Sequence, residues 1–356
     1  MEEVGSVTVA DIPSHQQKVG EVLLEVEDLS VDFKTDAGVV KAVQSVSFTL
    51  HAGETLAIIG ESGSGKSVTA QAIMGIVPSP PGVVNAHAIR FRGQNLADLT
   101  EKDRRKVRGQ EIAMIFQDPL TSLNPVYSVG KQIGEMFRVH RGASRKEATE
   151  AAIELMEQVR IPEARLRVGD YPHQFSGGMR QRVMIAMALS LDPAVLIADE
   201  PTTALDVTVQ AQIMELLGSL QEEHNMGLIL ITHDLGVVAS VADTVQLMYA
   251  GGVVEKAGAD DFYEAHAHPY AEGLMRSIPT LIGEDERLIP IEGAPPSLIR
   301  LPPGCPFNPR CPYVTDRCRT EKPLLRSIAG YAGLVACHNA EDVRSAKVGG
   351  GGGSGE

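Results

Sequence analysis

GESGSGKS, running from Gly60 to Ser67, decides how the whole chain is read. Its glycines, serines and lysine suit either a flexible linker or a loop that cradles phosphate. The flanks choose between them. Upstream, ETLAIIG (Glu54–Gly60) has the length and apolar character of a buried parallel strand. Downstream, KSVTAQAIMGIV is a helical pattern in which Val68, Ile73 and Ile76 share one face. A linker has no reason to sit between a strand and an amphipathic helix, whereas a phosphate loop requires that context. Gly60, Gly65, Lys66 and Ser67 match G-x-x-x-x-G-K-[ST]. Glycines let successive N–H groups turn towards an anion, and the helix N-terminus adds partial positive charge. Lys66 is expected on the β- and γ-phosphates of a nucleotide, and the Ser67 hydroxyl on Mg²⁺. Glu61, Ser62, Gly63 and Ser64 within the loop, and Val68 after it, complete the expected phosphate-binding set.

The bulk properties agree with a soluble nucleotide-using protein. At 356 residues the chain exceeds the length at which one hydrophobic core divides, so at least two domains are expected. A formal charge of −14 opposes nucleic-acid binding, which needs clustered Lys and Arg, although a local basic groove is compatible with it. The acidic, polar start MEEVGSVTVADIPSHQQ resembles neither a signal nor a transit peptide. Met226–Thr232 and Val245–Val254, the longest apolar runs, are far too short to span a bilayer. A cytosolic chain, held at a membrane only by a partner, is the expectation. The glycine-rich tail from Gly349 reads as a linker.

Two further apolar runs end in chemistry. VLIADE (Val195–Glu200) is a strand that delivers Asp199 to Mg²⁺ through water and Glu200 to an attacking water; alone, the hexamer would read as a strand end with solvated acids. LILITHD (Leu228–Asp234) delivers His233, which as an isolated residue would be structural. As the third strand edge to carry a polar group in a doubly wound sheet, it is expected beside the γ-phosphate. Between them, Ser176-Gly177-Gly178 opens a long helical pattern and forms a second anion-binding helix N-terminus. One chain already has one phosphate loop, so this site is expected to complete the nucleotide site of another subunit.

All four cysteines, Cys305, Cys311, Cys318 and Cys337, lie after residue 300. Without a secretory signal, disulfides are disfavoured. A four-thiolate metal site is expected, with zinc and a [4Fe–4S] cluster both compatible with the intervals. His338 is a substitute ligand.

With these motifs assembled, the chain resembles the nucleotide-binding subunit of an ABC transporter over roughly residues 23–339. A signature at Phe175–Met179 and a D-loop at Ala204-Leu205-Asp206 join the motifs already described. QDPLTSLNP (Gln117–Pro125), YPHQFSGGMRQR (Tyr171–Arg182) and HPYAEGLMRSIP (His268–Pro279) make the closer similarity one to dipeptide and oligopeptide importer ATPases. Phe175 and Met179 depart from the common LSGGQ while the Ser-Gly-Gly is kept.

The resemblance implies an α/β fold: a P-loop NTPase (RecA-like) core with an antiparallel β subdomain, an inserted helical subdomain and a Cys-rich C-terminal extension. The implied division is a mobile stretch over 1–21, an ATPase domain over 22–258 with its helical part at about 118–182, an extension over 259–345 and a tail over 346–356. It implies ATPase activity with ATP and Mg²⁺, two subunits meeting head to tail across ATP, and Asp206 near that nucleotide. Gln117 is implied as the sensor of Mg²⁺ or attacking water. Phe33 is implied as the residue stacking on adenine, although its alternation with Val31 also suits a core residue. The implied partners are a second ATPase subunit, usually a paralogue, two transmembrane permease subunits and an extracytoplasmic substrate-binding protein. The place is the cytoplasmic face of the membrane, and the function is peptide import. Some members bind an iron–sulfur cluster in the cysteine tail, which favours iron over zinc. The competing reading is a soluble ABC ATPase acting on DNA, ribosomes or cofactor assembly.

Overall fold

The computed structural model describes residues 20–203, 205–277 and 290–344. The expected tail over 346–356, nearly all of the expected mobile stretch over 1–21, Ala204 and the end of the His268–Pro279 stretch lie outside them.

The described residues begin with two long strands, β1 (Val22–Thr35) and β2 (Gly38–His51), then β3 (Thr55–Ile59) and helix α1 (Lys66–Met74). Short strands β4 (Gly82–Asn85), β5 (Ala88–Phe91) and β6 (Gln94–Asn95), helix α2 (Glu101–Gln110) and strand β7 (Ile112–Ile115) follow. Five helices come next: α3 (Pro119–Ser122), α4 (Val129–Arg141), α5 (Arg145–Gln158), α6 (Ala164–Arg167) and α7 (Gly177–Leu189). The chain then alternates through β8 (Val195–Asp199), α8 (Val207–His224), β9 (Gly227–Thr232), α9 (Leu235–Val241), β10 (Thr244–Tyr249) and β11 (Gly252–Gly258). Last come α10 (Ala259–Ala265), α11 (Pro269–Met275), α12 (Asp316–Thr320), β12 (Arg326–Ser327) and β13 (Leu334–Val335).

Among the described residues, an eight-stranded sheet in the order β12-β13-β11-β10-β3-β9-β8-β7 forms the centre. Its strands β10, β3, β9, β8 and β7, the last at one edge, run parallel. β3, β8 and β9 are buried along their whole length, as strands covered on both faces must be, and their sequences are accordingly continuous apolar runs rather than alternating ones. β1, β2, β4, β5 and β6 make a separate antiparallel sheet. LLEVEDLSVDF and VQSVSFTL alternate between apolar and polar residues, as strands with one covered face do. Val26, Leu29, Val31, Val43, Val46 and Phe48 pack from it onto Leu56, Ile58 and Ile197 of the central sheet.

The helices α3 to α7 share a second core built on Val129, Ile133, Ala152, Met156 and Val183. The start of α5 is fixed by a capping box in which Ser144 and Glu147 satisfy each other's backbone amides. Helix α1 departs from the sequence expectation: it ends at Met74, where Gly75 turns left-handed and caps it. Ile76 is therefore outside the helix and exposed, and of the three residues expected on the apolar face only Ile73 is fully buried.

Candidate functional site

The order β3-β9-β8-β7 sets four adjacent parallel strands side by side. Their C-terminal ends lead into Gly60, His233, Asp199–Glu200 and Gln117 respectively. A parallel sheet collects at one edge the polar groups that follow its strands, so residues up to 173 positions apart (60 to 233) meet there.

The phosphate loop is held by its own backbone. Gly65 has φ +104°, and a Cβ at that position would lie 2.3 Å from the Ala42 carbonyl oxygen. Only glycine fits that close approach. Lys66 Nζ donates to the Gly60 oxygen at 2.8 Å and the Glu61 oxygen at 3.1 Å, arching over the loop. Burial pushes the Lys66 ammonium pKa down, opposed by the Glu200, Asp199 and Glu61 carboxylates. The Ser64 hydroxyl is buried and has no hydrogen-bond partner among the described residues. A buried cation, an orphaned hydroxyl and the N-terminus of α1 fit an incoming polyphosphate. Ser62 and Gly63 are exposed at the loop tip, and Val68 is half-buried on α1.

Next to the loop, Ser67 Oγ donates to Asp199 Oδ1 at 2.9 Å. Burial raises the Asp199 pKa, offset by the Ser67 hydrogen bond and by Lys66 and reinforced by Glu200. A hydroxyl beside a buried carboxylate is a hard-oxygen donor pair of the kind Mg²⁺ takes. Glu200 follows with a left-handed backbone, φ +47°, a conformation that costs a non-glycine residue about 1 kcal/mol or more. Its carboxylate accepts from Gln117 Nε2 at 2.7 Å and from Thr203 Oγ1 at 2.9 Å, and His233 Nδ1 lies 3.5 Å from it. His233 and Gln117 are exposed, so this cluster opens to solvent.

The remaining expected residues lie elsewhere in the chain. Ser176 caps α7 by accepting from the Met179 amide, and Ser176 and Gly177 are exposed. Gly177 and Gly178 face Leu205 and Val209, at the start of α8. Asp206 caps α8 through the Val209 amide. Phe33 is half-buried at the far end of β1, opposite Val40 and Gly82, and packs on the edge of the core.

The expectation of a four-thiolate metal site is corrected. Among the described residues no group of three or more His, Cys, Asp or Glu side chains is arranged to hold a metal ion. Cys305, Cys318 and Cys337 belong to an apolar core with Phe262, Tyr270, Phe307 and Val335, and Cys311 packs against it. Burial pushes the Cys311 thiol up to about 11 and the Cys337 thiol up to about 12 in the metal-free chain. His338 is turned away, with Nε2 on the Glu321 carbonyl. The cysteines are packing residues, and neither the [4Fe–4S] cluster nor zinc is supported.

Three contacts on the site carry no signal in the local sequence pattern. Thr203, in the PTTALD run, buttresses Glu200. Tyr270 Oη accepts from the Glu61 amide at 2.9 Å, and Arg310 forms a two-pronged ion pair with the Glu61 carboxylate at 2.7 and 3.0 Å. Glu61 is thus engaged by residues more than 200 positions away.

Comparison with known proteins matches this architecture. Residues 43–203 match the family profile described as ABC transporter, and residues 254–318 that described as oligopeptide/dipeptide transporter, C-terminal region. The oligopeptide transport ATP-binding protein OppD of Haemophilus influenzae is 53% identical over 83% of this chain and 91% of its own length. The dipeptide transport ATP-binding protein DppD of Escherichia coli is 52% identical over 86% of this chain and 94% of its own. Among solved structures, the ATP-binding cassette MJ0796, a dimer bound to ADP and Pi, aligns with a TM-score of 0.60. The two are 27% identical, over 67% of this chain and 99% of that one. The fold is therefore the ABC ATPase cassette, and the chain belongs to the family of oligopeptide/dipeptide ABC transporter ATP-binding proteins.

Proposed function

We propose that this chain is the ATP-hydrolysing subunit that powers import of di- or oligopeptides through an ABC transporter. What supports the reading most is the convergence of the Lys66 loop, the Ser67–Asp199 pair and the Gln117–Glu200–His233 cluster on one sheet edge. In it, Lys66 and the amides of Gly60–Ser67 grip the β- and γ-phosphates, and Ser67 and Asp199, with Gln117 nearby, would hold Mg²⁺. The metal, when bound, neutralises phosphate charge. Glu200, steadied by Gln117 and Thr203, orients the attacking water and accepts its proton, and His233 stands beside the leaving phosphate. Positioning and charge carry most of such a reaction.

The Ser176-Gly177-Gly178 terminus and Asp206 serve a second ATPase subunit, a paralogue, across a shared nucleotide, with Phe33 against adenine. No helix among the described residues is long and apolar enough to cross a membrane, so the path for solute belongs to partners. A groove of about 510 Å³ beside the Gln117 segment, lined by Met114, Phe116, Leu123, Met136, Met184 and Met187, suits an apolar helix of a permease. Two permease subunits and an extracytoplasmic binding protein complete the assembly, with this chain on the cytoplasmic face. Residues 22–258 form the ATPase domain, with its helical part at about 118–182, and residues 259–345 the extension.

Reconstitution of the native complex in vesicles tests this. ATP-dependent peptide uptake is expected, with Lys66→Ala and Glu200→Gln each abolishing it. Undiminished uptake with both residues replaced refutes the proposal.

A further inference from the structure

The second residue of the phosphate loop is a glutamate, an awkward neighbour for a polyphosphate. Its carboxylate stands beside a site whose ligand carries three or four negative charges, and like charges at that range oppose binding. Within the loop the Lys66 ammonium offsets part of that charge but makes no hydrogen bond to the Glu61 carboxylate, its donors going to the Gly60 and Glu61 carbonyls. The answer comes from the far end of the chain.

Arg310 meets Glu61 with both guanidinium nitrogens, Nη1 to Oε2 at 2.7 Å and Nη2 to Oε1 at 3.0 Å. Its remaining donors are committed as well: Nε to the Glu292 carbonyl at 3.1 Å, Nη1 to Tyr249 Oη at 3.3 Å and Nη2 to the Ile291 carbonyl at 3.4 Å. With five N–H groups engaged and only 5% of its side chain exposed, the guanidinium has one orientation. The rings of Tyr249 and Phe307, centred 5.9 and 6.0 Å from the guanidinium carbon, flank it. Tyr270, fully buried against the same two rings, accepts the Glu61 amide. Glu61 is therefore gripped at its amide by Tyr270, at its carbonyl by Lys66 and at its carboxylate by Arg310.

We propose that Arg310 and Tyr270 are positioning residues of the phosphate loop: Arg310 neutralises Glu61 and Tyr270 fixes its backbone, so the C-terminal extension sets the affinity for ATP. This rests on the reading of Gly60–Ser67 as the ATP site. A bidentate pair with low exposure is more than a surface ion pair, because it removes a charge from the rim of the site as well as anchoring a loop.

The test uses the full chain and equilibrium binding of a fluorescent ATP analogue and of its ADP counterpart, with kcat and KM of hydrolysis measured alongside. Arg310→Gln is expected to weaken ATP binding about tenfold and ADP binding less, since the diphosphate carries less charge, and to raise KM with little change in kcat. Adding Glu61→Gln to that variant is expected to restore ATP binding to within about twofold of the parent, because the uncompensated charge is gone. Tyr270→Phe, which keeps the packing, is expected to weaken ATP about threefold. Unchanged ATP binding in Arg310→Gln overturns the assignment. So does a double variant as weak as the single one, since lost packing rather than exposed charge would then explain the loss. Lys66→Ala is the reference: if it too binds ATP normally, the nucleotide reading itself fails.

Discussion

Replacing Gly65 with alanine separates two things a glycine does at once. Its φ of +104° carries a strain of about 1–3 kcal/mol for any other residue. In addition, the new Cβ would sit 2.3 Å from the Ala42 carbonyl oxygen, whereas ordinary carbon–oxygen contact is near 3.4 Å, so loop or strand must move by about 1 Å. A shift of that size in groups that must all point at one phosphate costs about a hundredfold. Gly142→Ala is the control: it has φ +68° but no atom within 4 Å of the new Cβ, and it caps a helix in the α4–α5 hairpin. Gly142→Ala is expected to lose about 1–3 kcal/mol in urea unfolding, and Gly65→Ala at least that. Only Gly65→Ala is expected to lose ATP affinity, by about a hundredfold, in titration calorimetry. If Gly65→Ala binds ATP within about threefold of the parent, the close approach to Ala42 does not set the loop.

Three further outcomes are expected. Glu200→Gln keeps ATP binding but lowers steady-state hydrolysis by about 10²–10³, and undiminished turnover would remove Glu200 from the reaction. Asp199 has its pKa raised by burial, so its charged form strains the nucleotide-free fold at neutral pH. Asp199→Asn should therefore raise the melting temperature without nucleotide while abolishing Mg²⁺-dependent hydrolysis; an unchanged or lower melting temperature contradicts the burial argument. His268 is buried neutral, with burial pushing its pKa from 6.5 down to about 3, and its Nδ1 accepts the Tyr270 amide at 3.0 Å. The unfolded chain takes up that proton below about pH 6.5 and the folded chain does not, so stability present at neutral pH falls by about 2 kcal/mol by about pH 5. In His268→Asn that part of the pH slope should vanish from urea titrations, and an unaltered slope would show that other groups set it.

The nucleotide edge was legible because each of its parts is local: an apolar run of strand length followed at once by Gly60, Asp199 or His233. Parallel topology then does the assembly. Helix α1 was over-extended because Ile76 continues the 3.6-residue period while the Gly75 cap, one residue earlier, overrides it. The cysteines were misread because clustering along the chain does not separate thiols converging on an ion from thiols sharing an apolar core. Only the arrangement of the side chains in space tells those apart. Arg310 and Tyr270 were invisible as site residues because their partner is 249 and 209 positions away, and no periodicity reports such a contact.

The central sheet does not stop at Gly258. β13 pairs with the edge of β11 at Glu255 and Lys256, and the fully buried Glu255 carboxylate takes its hydrogen bonds from Ala267, His268 and Tyr331. A cassette cut after Gly258 would keep every motif of the catalytic edge yet end in a bare ladder and a carboxylate stripped of its donors. Such a fragment is a candidate for strand-to-strand aggregation rather than a minimal enzyme. Grafting this engine onto another scaffold means moving both halves together.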